Sequence, residues 1–180
     1  RDFLVSGVIR NAVNVPSLDP EVYQTLRPYL ELGEYMGRIQ GQLAEGALER
    51  ITVEFRGEVA AHPTSPLTSA VLKGIMECFA EAGSVNLVNA PMVAQERGIR
   101  VDELKSSGPE DYASLLTVIL ETAAGRRVLS GTLFGRRDPR IVRLDGYDLD
   151  AVPEGHMLFY INDDVPGIIG RIGSTMVAIA

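Results

Sequence analysis

The chain has 180 residues, 46% of them hydrophobic and 23% charged, a composition that suits a globular protein with one substantial core. Its formal charge of −7 argues against nucleic acid and anionic membrane surfaces as partners, since both call for clustered Lys and Arg. The lone Cys78 excludes a disulfide framework within the chain and, with His62 and His156 as the two histidines, makes a transition-metal centre a poor expectation.

Residues 1–18 read as an extended tail, Asn11-Ala12-Val13-Asn14-Val15-Pro16 included, that packs on something else. Asp19-Pro20 supplies an N-cap acceptor and a proline at the first helical position. Val22 and Leu26 follow at helical spacing. Pro28 is expected to restart the helix, and Leu32, Met36, Ile39 and Leu43 form its stripe to about Ala44. Ile51, Val53 and Phe55 alternate with Thr52 and Glu54, the pattern of a half-buried strand. Ser65-Pro66 opens a second helix with Leu67, Val71, Ile75 and Phe79 on one face, and Gly83 suits its C′ position. Cys78 lies beside that stripe and reads as a core residue. Asn89-Ala90-Pro91 begins a short helix that Gly98 ends.

From there to Leu149 the pattern is β, with strands expected at 115–120, 128–134 and 141–144, and Asp145-Gly146 as a two-residue hairpin turn. The element order predicts an α+β fold, helices on one face of a mainly antiparallel sheet. Asp148, Asp150 and Pro153-Glu154-Gly155 make an acidic linker, with a domain boundary near residue 153 separating 19–152 from 153–180. Met157 to Ile161 reads as an apolar strand, 162–166 as a turn, and Gly167 to Ile179 as a helix with Ile168, Ile172, Met176 and Ile179 aligned. One strand and one helix bury too little apolar surface to offset their ordering, so this second piece expects a remainder beyond Ala180 or a partner. No apolar run approaches the length that spans a bilayer, and both ends look cut.

Catalytic chemistry finds little support. Neither histidine has a neighbour in sequence that would tune it, and Gly167, Gly170 and Gly173 sit within a helix instead of before one, where a dinucleotide fingerprint needs them. They read as close-packing glycines. Asn162-Asp163-Asp164-Val165-Pro166-Gly167 is the more informative segment, because a helix that starts straight after a strand offers free amides and a positive dipole end to a carboxylate. Asp164 adds a negative charge for an ammonium and Asn162 adds donor and acceptor, together suiting a free amino acid; the alternative is that Asp164 caps the helix. Arg136, Arg137, Arg140 and Arg143, four arginines within eight residues, are either a local anion site or a solvated edge-strand decoration.

Taken in order, these segments resemble D-3-phosphoglycerate dehydrogenases. The 11–16 segment is similar to the run that leaves the nucleotide-binding domain. Asn-x-Asp-x-Pro-Gly at 162–167 followed by Ile-Ile-Gly-Arg-Ile-Gly resembles the first strand–helix junction of a ferredoxin-like ACT domain. Arg56-Gly57-Glu58, Val88-Asn89-Ala90-Pro91, Glu96-Arg97-Gly98 and Ser130-Gly131-Thr132-Leu133-Phe134-Gly135 resemble the intervening domain. The resemblance implies a parent enzyme that oxidises 3-phosphoglycerate with NAD in L-serine biosynthesis. Its catalytic residues and NAD-binding loop would lie upstream, leaving none here. It further implies an incomplete ACT unit, and an L-serine effector site with Asn162 and Asp164 as its matching positions at a junction that runs on through Val165, Pro166 and Gly167. It also implies anion binding at Arg140, to which the arginine cluster adds Arg137 and Arg143; Asp145, Tyr147, Asp148 and Asp150 stand where relatives carry further cations. Partners would be the upstream domains and further copies in a dimer or tetramer, in the cytoplasm. A spacer that binds nothing is the alternative.

Overall fold

A computed structural model describes residues 20–106, 111–160 and 165–179. Its elements run α1 (Pro20–Leu43), β1 (Leu48–Gly57), a 3-10 turn (Glu58–Ala61), α2 (Ser65–Glu77), α3 (Ala90–Glu96), β2 (Arg100–Ser106), β3 (Ser114–Thr122), β4 (Gly125–Phe134), β5 (Asp138–Leu144), β6 (Tyr147–Ala151) and α4 (Ile168–Ile179). The strands make one sheet in the order β2-β1-β3-β4-β5-β6. Neighbours are antiparallel except β1 and β2, which pair in parallel across the crossover that α2 and α3 supply. α1 packs on α2 and lies across β3, β4 and β5, giving the expected α+β layering.

Period-two alternation decides what the helices cover. In β1, Ile51, Val53 and Phe55 point into the core opposite Leu120, Val118 and Leu116 of β3, and all six are essentially inaccessible. Leu129 and Ile141 continue this face across β4 and β5, and Leu32, Met36, Leu67, Val71 and Ile75 descend onto it from α1 and α2. Burying such a side chain contributes roughly 1.5–3 kcal/mol each, so this layer carries most of the hydrophobic stabilisation. Gln40 is buried on the same side, its Nε2 donating to the Val118 carbonyl at 2.9 Å.

The two helices approach closely because glycines line their seam. A Cβ on Gly37 would overlap the Val71 carbonyl oxygen and come within 3.1 Å of Gly74 Cα, and one on Gly41 would meet Cys78 Sγ at 2.8 Å. A ring of ion pairs covers the edge of the seam: Arg38 reaches Glu34 at 2.6 Å and Glu77 at 3.2 Å, while Lys73 reaches the same carboxylates at 2.6 and 3.4 Å.

Several expectations require correction. Pro28 does not restart the first helix; α1 runs through it. A proline there removes a backbone bond at a cost of about 3 kcal/mol, and fully buried Leu26 and Leu32 hold the turns on either side. Phe79 lies beyond α2 and is 37% exposed, and Cys78 is the exposed C-cap residue of that helix, not a core residue. Among the described residues Gly170 and Gly173 have open space where a Cβ would stand, whereas Gly37, Gly41 and Gly74 of α1 and α2 are closely packed. Residues 157–160 form no strand, and Leu158 and Tyr160 are half exposed; an apolar run becomes a strand only where another strand completes its hydrogen bonds. The tail over 1–18 lies outside the described residues.

Candidate functional site

The arginines fall on the last two hairpins. β4 and β5 turn through Gly135, Arg136 and Arg137, with Gly135 and Arg136 both at positive φ, and Arg137 is exposed in that turn. β5 starts at Asp138 and carries Pro139 opposite Leu133, so Arg137 does not share the strand with the other two. Arg140 pairs in register with Thr132 and Arg143 with Ser130, on the face away from the helices; a register shift between Ile141 and Arg143 puts both arginines on that face although their spacing is odd. Arg140 and Arg143 therefore share one face of the sheet, and Arg137 stands apart in the turn.

Both strand arginines already hold carboxylates. Arg143 Nε donates to Asp148 Oδ1 at 2.8 Å directly across the β5–β6 ladder, and Arg140 Nε lies 3.3 Å from Asp150 Oδ1. Arg140 also stands over the Phe134 ring at 5.6 Å, and that ring stacks on Tyr112 with centroids 6.5 Å apart. The guanidinium is thus oriented by an aromatic platform that sequence reasoning missed; the signal was the shared register face of Phe134, Thr132 and Arg140. Asp148 and Asp150 side chains remain 79% and 63% exposed, and pairs of this kind contribute only about 0–1 kcal/mol each. The row beneath the arginines is polar and buried: Thr117 and Ser130 hydroxyls meet at 2.9 Å, and Thr132 Oγ1 donates to the Ser114 carbonyl.

The hairpin joining β5 and β6 is built as its sequence requires. Asp145 and Gly146 both take positive φ, 49° and 88°, as a two-residue turn of the tightest kind demands. Asp145 Oδ1 accepts from the Val128 amide at 2.8 Å and Oδ2 from Arg127 Nε at 3.2 Å. Arg127 in turn donates to the Leu43 carbonyl at 2.8 Å, placing a cation at the C-terminus of α1 and tying the hairpin to the helical layer.

Of the amino-acid-binding segment, Asn162 and Asp164 lie outside the described residues. Val165, Pro166 and Gly167 are exposed and form a tight turn with Pro second and Gly third, Gly167 at φ 86° and the Ile168 amide reaching back to the Val165 carbonyl at 3.3 Å. The turn delivers the chain into α4, whose first bond is Arg171 N–H to the Gly167 carbonyl at 3.1 Å. The Ile169 and Gly170 amides precede that bond in the first turn of the helix. Ile169 is 76% exposed.

A separate cleft of about 320 Å³ lies between α2, α3 and the edge strand β2, lined by Ser65, Thr68, Gln95, Val101 and Glu103 among others. Thr64 is the N-cap residue of α2, but its side chain makes no cap bond; its hydroxyl donates instead to Oε2 of Glu103, which lines the cleft, at 2.9 Å. At the far end of α2, partial burial raises the Cys78 thiol above its ordinary pKa, Glu77 adds to the rise, and Arg38 opposes it.

Fold and site together describe a two-layer α+β module in which Arg140 and Arg143 serve ion pairs near one edge of the sheet. The family model for the D-3-phosphoglycerate dehydrogenase intervening domain matches residues 25–145. The chain is 41% identical over 177 residues to a protein of Synechocystis sp. named D-3-phosphoglycerate dehydrogenase, covering 98% of this chain and 32% of that one. Proteins of the same name from Archaeoglobus fulgidus and Methanocaldococcus jannaschii are 40% and 34% identical over 166 residues, in each case 92% of this chain and 31% of the relative. The chain belongs to the D-3-phosphoglycerate dehydrogenase intervening-domain family, and it spans about a third of the length of these relatives.

Proposed function

We propose that the chain is the regulatory part of an NAD-dependent D-3-phosphoglycerate dehydrogenase of L-serine biosynthesis, acting in the cytoplasm. The match to the intervening domain, within relatives about three times as long, carries this reading. Substrate oxidation and NAD binding belong to upstream domains of the same polypeptide, and this segment contributes neither a catalytic residue nor a cofactor contact. The intervening domain occupies 19–152, and residues 153–180 open an ACT unit.

In this reading L-serine binds at the turn before α4. Asp164 takes the ammonium, Asn162 adds a donor and an acceptor, and the amides that follow Val165-Pro166-Gly167 take the carboxylate. The exposed turn and the helix start at Ile168 support the placement. Apolar Ile169, open to solvent, supports self-association as a dimer or tetramer through the same unit. Arg140 and Arg143, with Arg137 nearby, form a second effector site for a phosphate- or carboxylate-bearing anion.

The deciding experiment is Asp164→Ala in the full dehydrogenase. Loss of a charge-assisted bond raises the serine concentration for half inhibition by an amount equivalent to about 1.5–3 kcal/mol. Unchanged inhibition refutes the assignment and favours the spacer reading, which the self-paired arginines also support.

A further inference from the structure

The outer face of the β5–β6 hairpin carries cations and their neutralising groups on adjacent strands. Arg140 and Arg143 project from β5; Asp148 and Asp150 project from β6 on the same face, while Leu149 and Ala151 turn toward the core. The Arg140 guanidinium is the fixed partner of its pair. Arg140 is held by the Phe134–Tyr112 stack and by the Pro139 carbonyl at 3.2 Å, and its side chain is only 25% exposed. The carboxylates are the loose partners, well exposed and borne on a five-residue strand at the sheet edge.

We propose that β6 is a tethered counter-ion: Asp148 and Asp150 occupy the seats of an external anion on Arg143 and Arg140, and anion binding and β6 pairing compete. This rests on the reading of Arg140 and Arg143 as an anion site and adds what regulates it. The local carboxylates face the guanidinium groups at high effective concentration, so a free anion must displace them. A dianionic phosphate carries more charge than either carboxylate and can meet a guanidinium fork through two oxygens, which gives it the means to compete for the arginines. Displacement releases the β6 side chains from the ladder, and β6 leads into residues 152–160 and then the turn before α4. Occupancy of the arginines is thereby coupled to the segment that precedes the second unit.

The test uses the full 180-residue chain, inorganic phosphate as probe and constant ionic strength, read by calorimetry and by hydrogen exchange of the β6 amides. Asp148→Asn with Asp150→Asn should tighten phosphate binding by roughly three- to tenfold. Phosphate should speed exchange of the β6 amides in the parent chain, and Arg140→Gln with Arg143→Gln should abolish binding. Phosphate binding of equal strength in parent and double-Asn chains overturns the competition and leaves the anion site standing. Absence of binding in both overturns the anion site and the competition with it.

Discussion

The seam between α1 and α2 is tight enough that one methyl group should damage it. Gly37→Ala places a Cβ against the Val71 carbonyl oxygen and within 3.1 Å of Gly74 Cα and Ile75 N, all backbone atoms that no rotamer change can move. Relief requires the helices to part by about 1 Å, the difference between overlap and ordinary contact, which loosens Met36, Val71 and Ile75 in the core. Alanine gains roughly 1 kcal/mol over glycine from helix propensity. Overpacking costs roughly 1–3 kcal/mol where side chains can yield, and a backbone obstacle belongs at the upper end. The expected net loss is about 2 kcal/mol, seen as a Tm lower by roughly 4–8 °C and a lower urea midpoint at unchanged slope. Gly170→Ala is the control, because nothing stands within 4 Å of its added Cβ and only propensity acts. A Gly37→Ala chain as stable as the parent would refute the reasoning, since it would mean that the seam is not closed by these glycines.

Two further predictions follow from the polar groups. Thr117→Val keeps volume but strands the buried Ser130 hydroxyl, so it should cost about 1–3 kcal/mol in chemical denaturation, whereas Thr117→Val with Ser130→Ala should recover most of the loss; strict additivity of the two single changes would sink the pairing. Cys78 should alkylate more slowly at pH 8 than an unhindered thiol, with its rate rising only above the ordinary thiol range, because burial foremost and Glu77 next disfavour the thiolate. A raised pKa in the fold is a small stabilisation that is complete below the unfolded value and lost as pH rises through the folded one. Iodoacetamide kinetics against pH measure this, and a midpoint below 9.0 would contradict it.

The elements legible in the sequence were those with a local cause. Ile51, Val53 and Phe55 alternate because a helical layer covers one face, and Asp145-Gly146 announces a turn that needs two positive φ values. β2 was illegible because an edge strand with one neighbour need not alternate; Arg100, Asp102, Glu103 and Lys105 are exposed and guard an open edge. Gly33, Gly37 and Gly41 recur at four-residue spacing, a sign of close helix approach, yet Gly167, Gly170 and Gly173 look equally good on paper. Among the described residues a helix stands opposite the first set. Met157 to Tyr160 failed as a strand for the same reason, since apolar content proposes burial and another element has to provide it. Arg140 was found by its charge, but its pairing with Asp150 lies beside a register shift in the β5–β6 ladder that no local pattern encodes.

These two kinds of dependence meet at one edge of the sheet. The strand order puts β2 with its cleft at one end and β6 with its aspartates at the other. At the β2 end the chain is anchored on both sides, by α3 and by the parallel ladder to β1. At the β6 end a short strand with two exposed ion pairs is what joins the domain to the run toward Val165, Pro166 and Gly167. Free energy to move a linker is cheapest where few buried groups hold it, and β6 retains only Leu149 and Ala151, each partly buried, against the core. On the proposed reading, a signal at Arg140 and Arg143 would act on a short edge strand, and that strand leads along the chain toward the proposed serine turn.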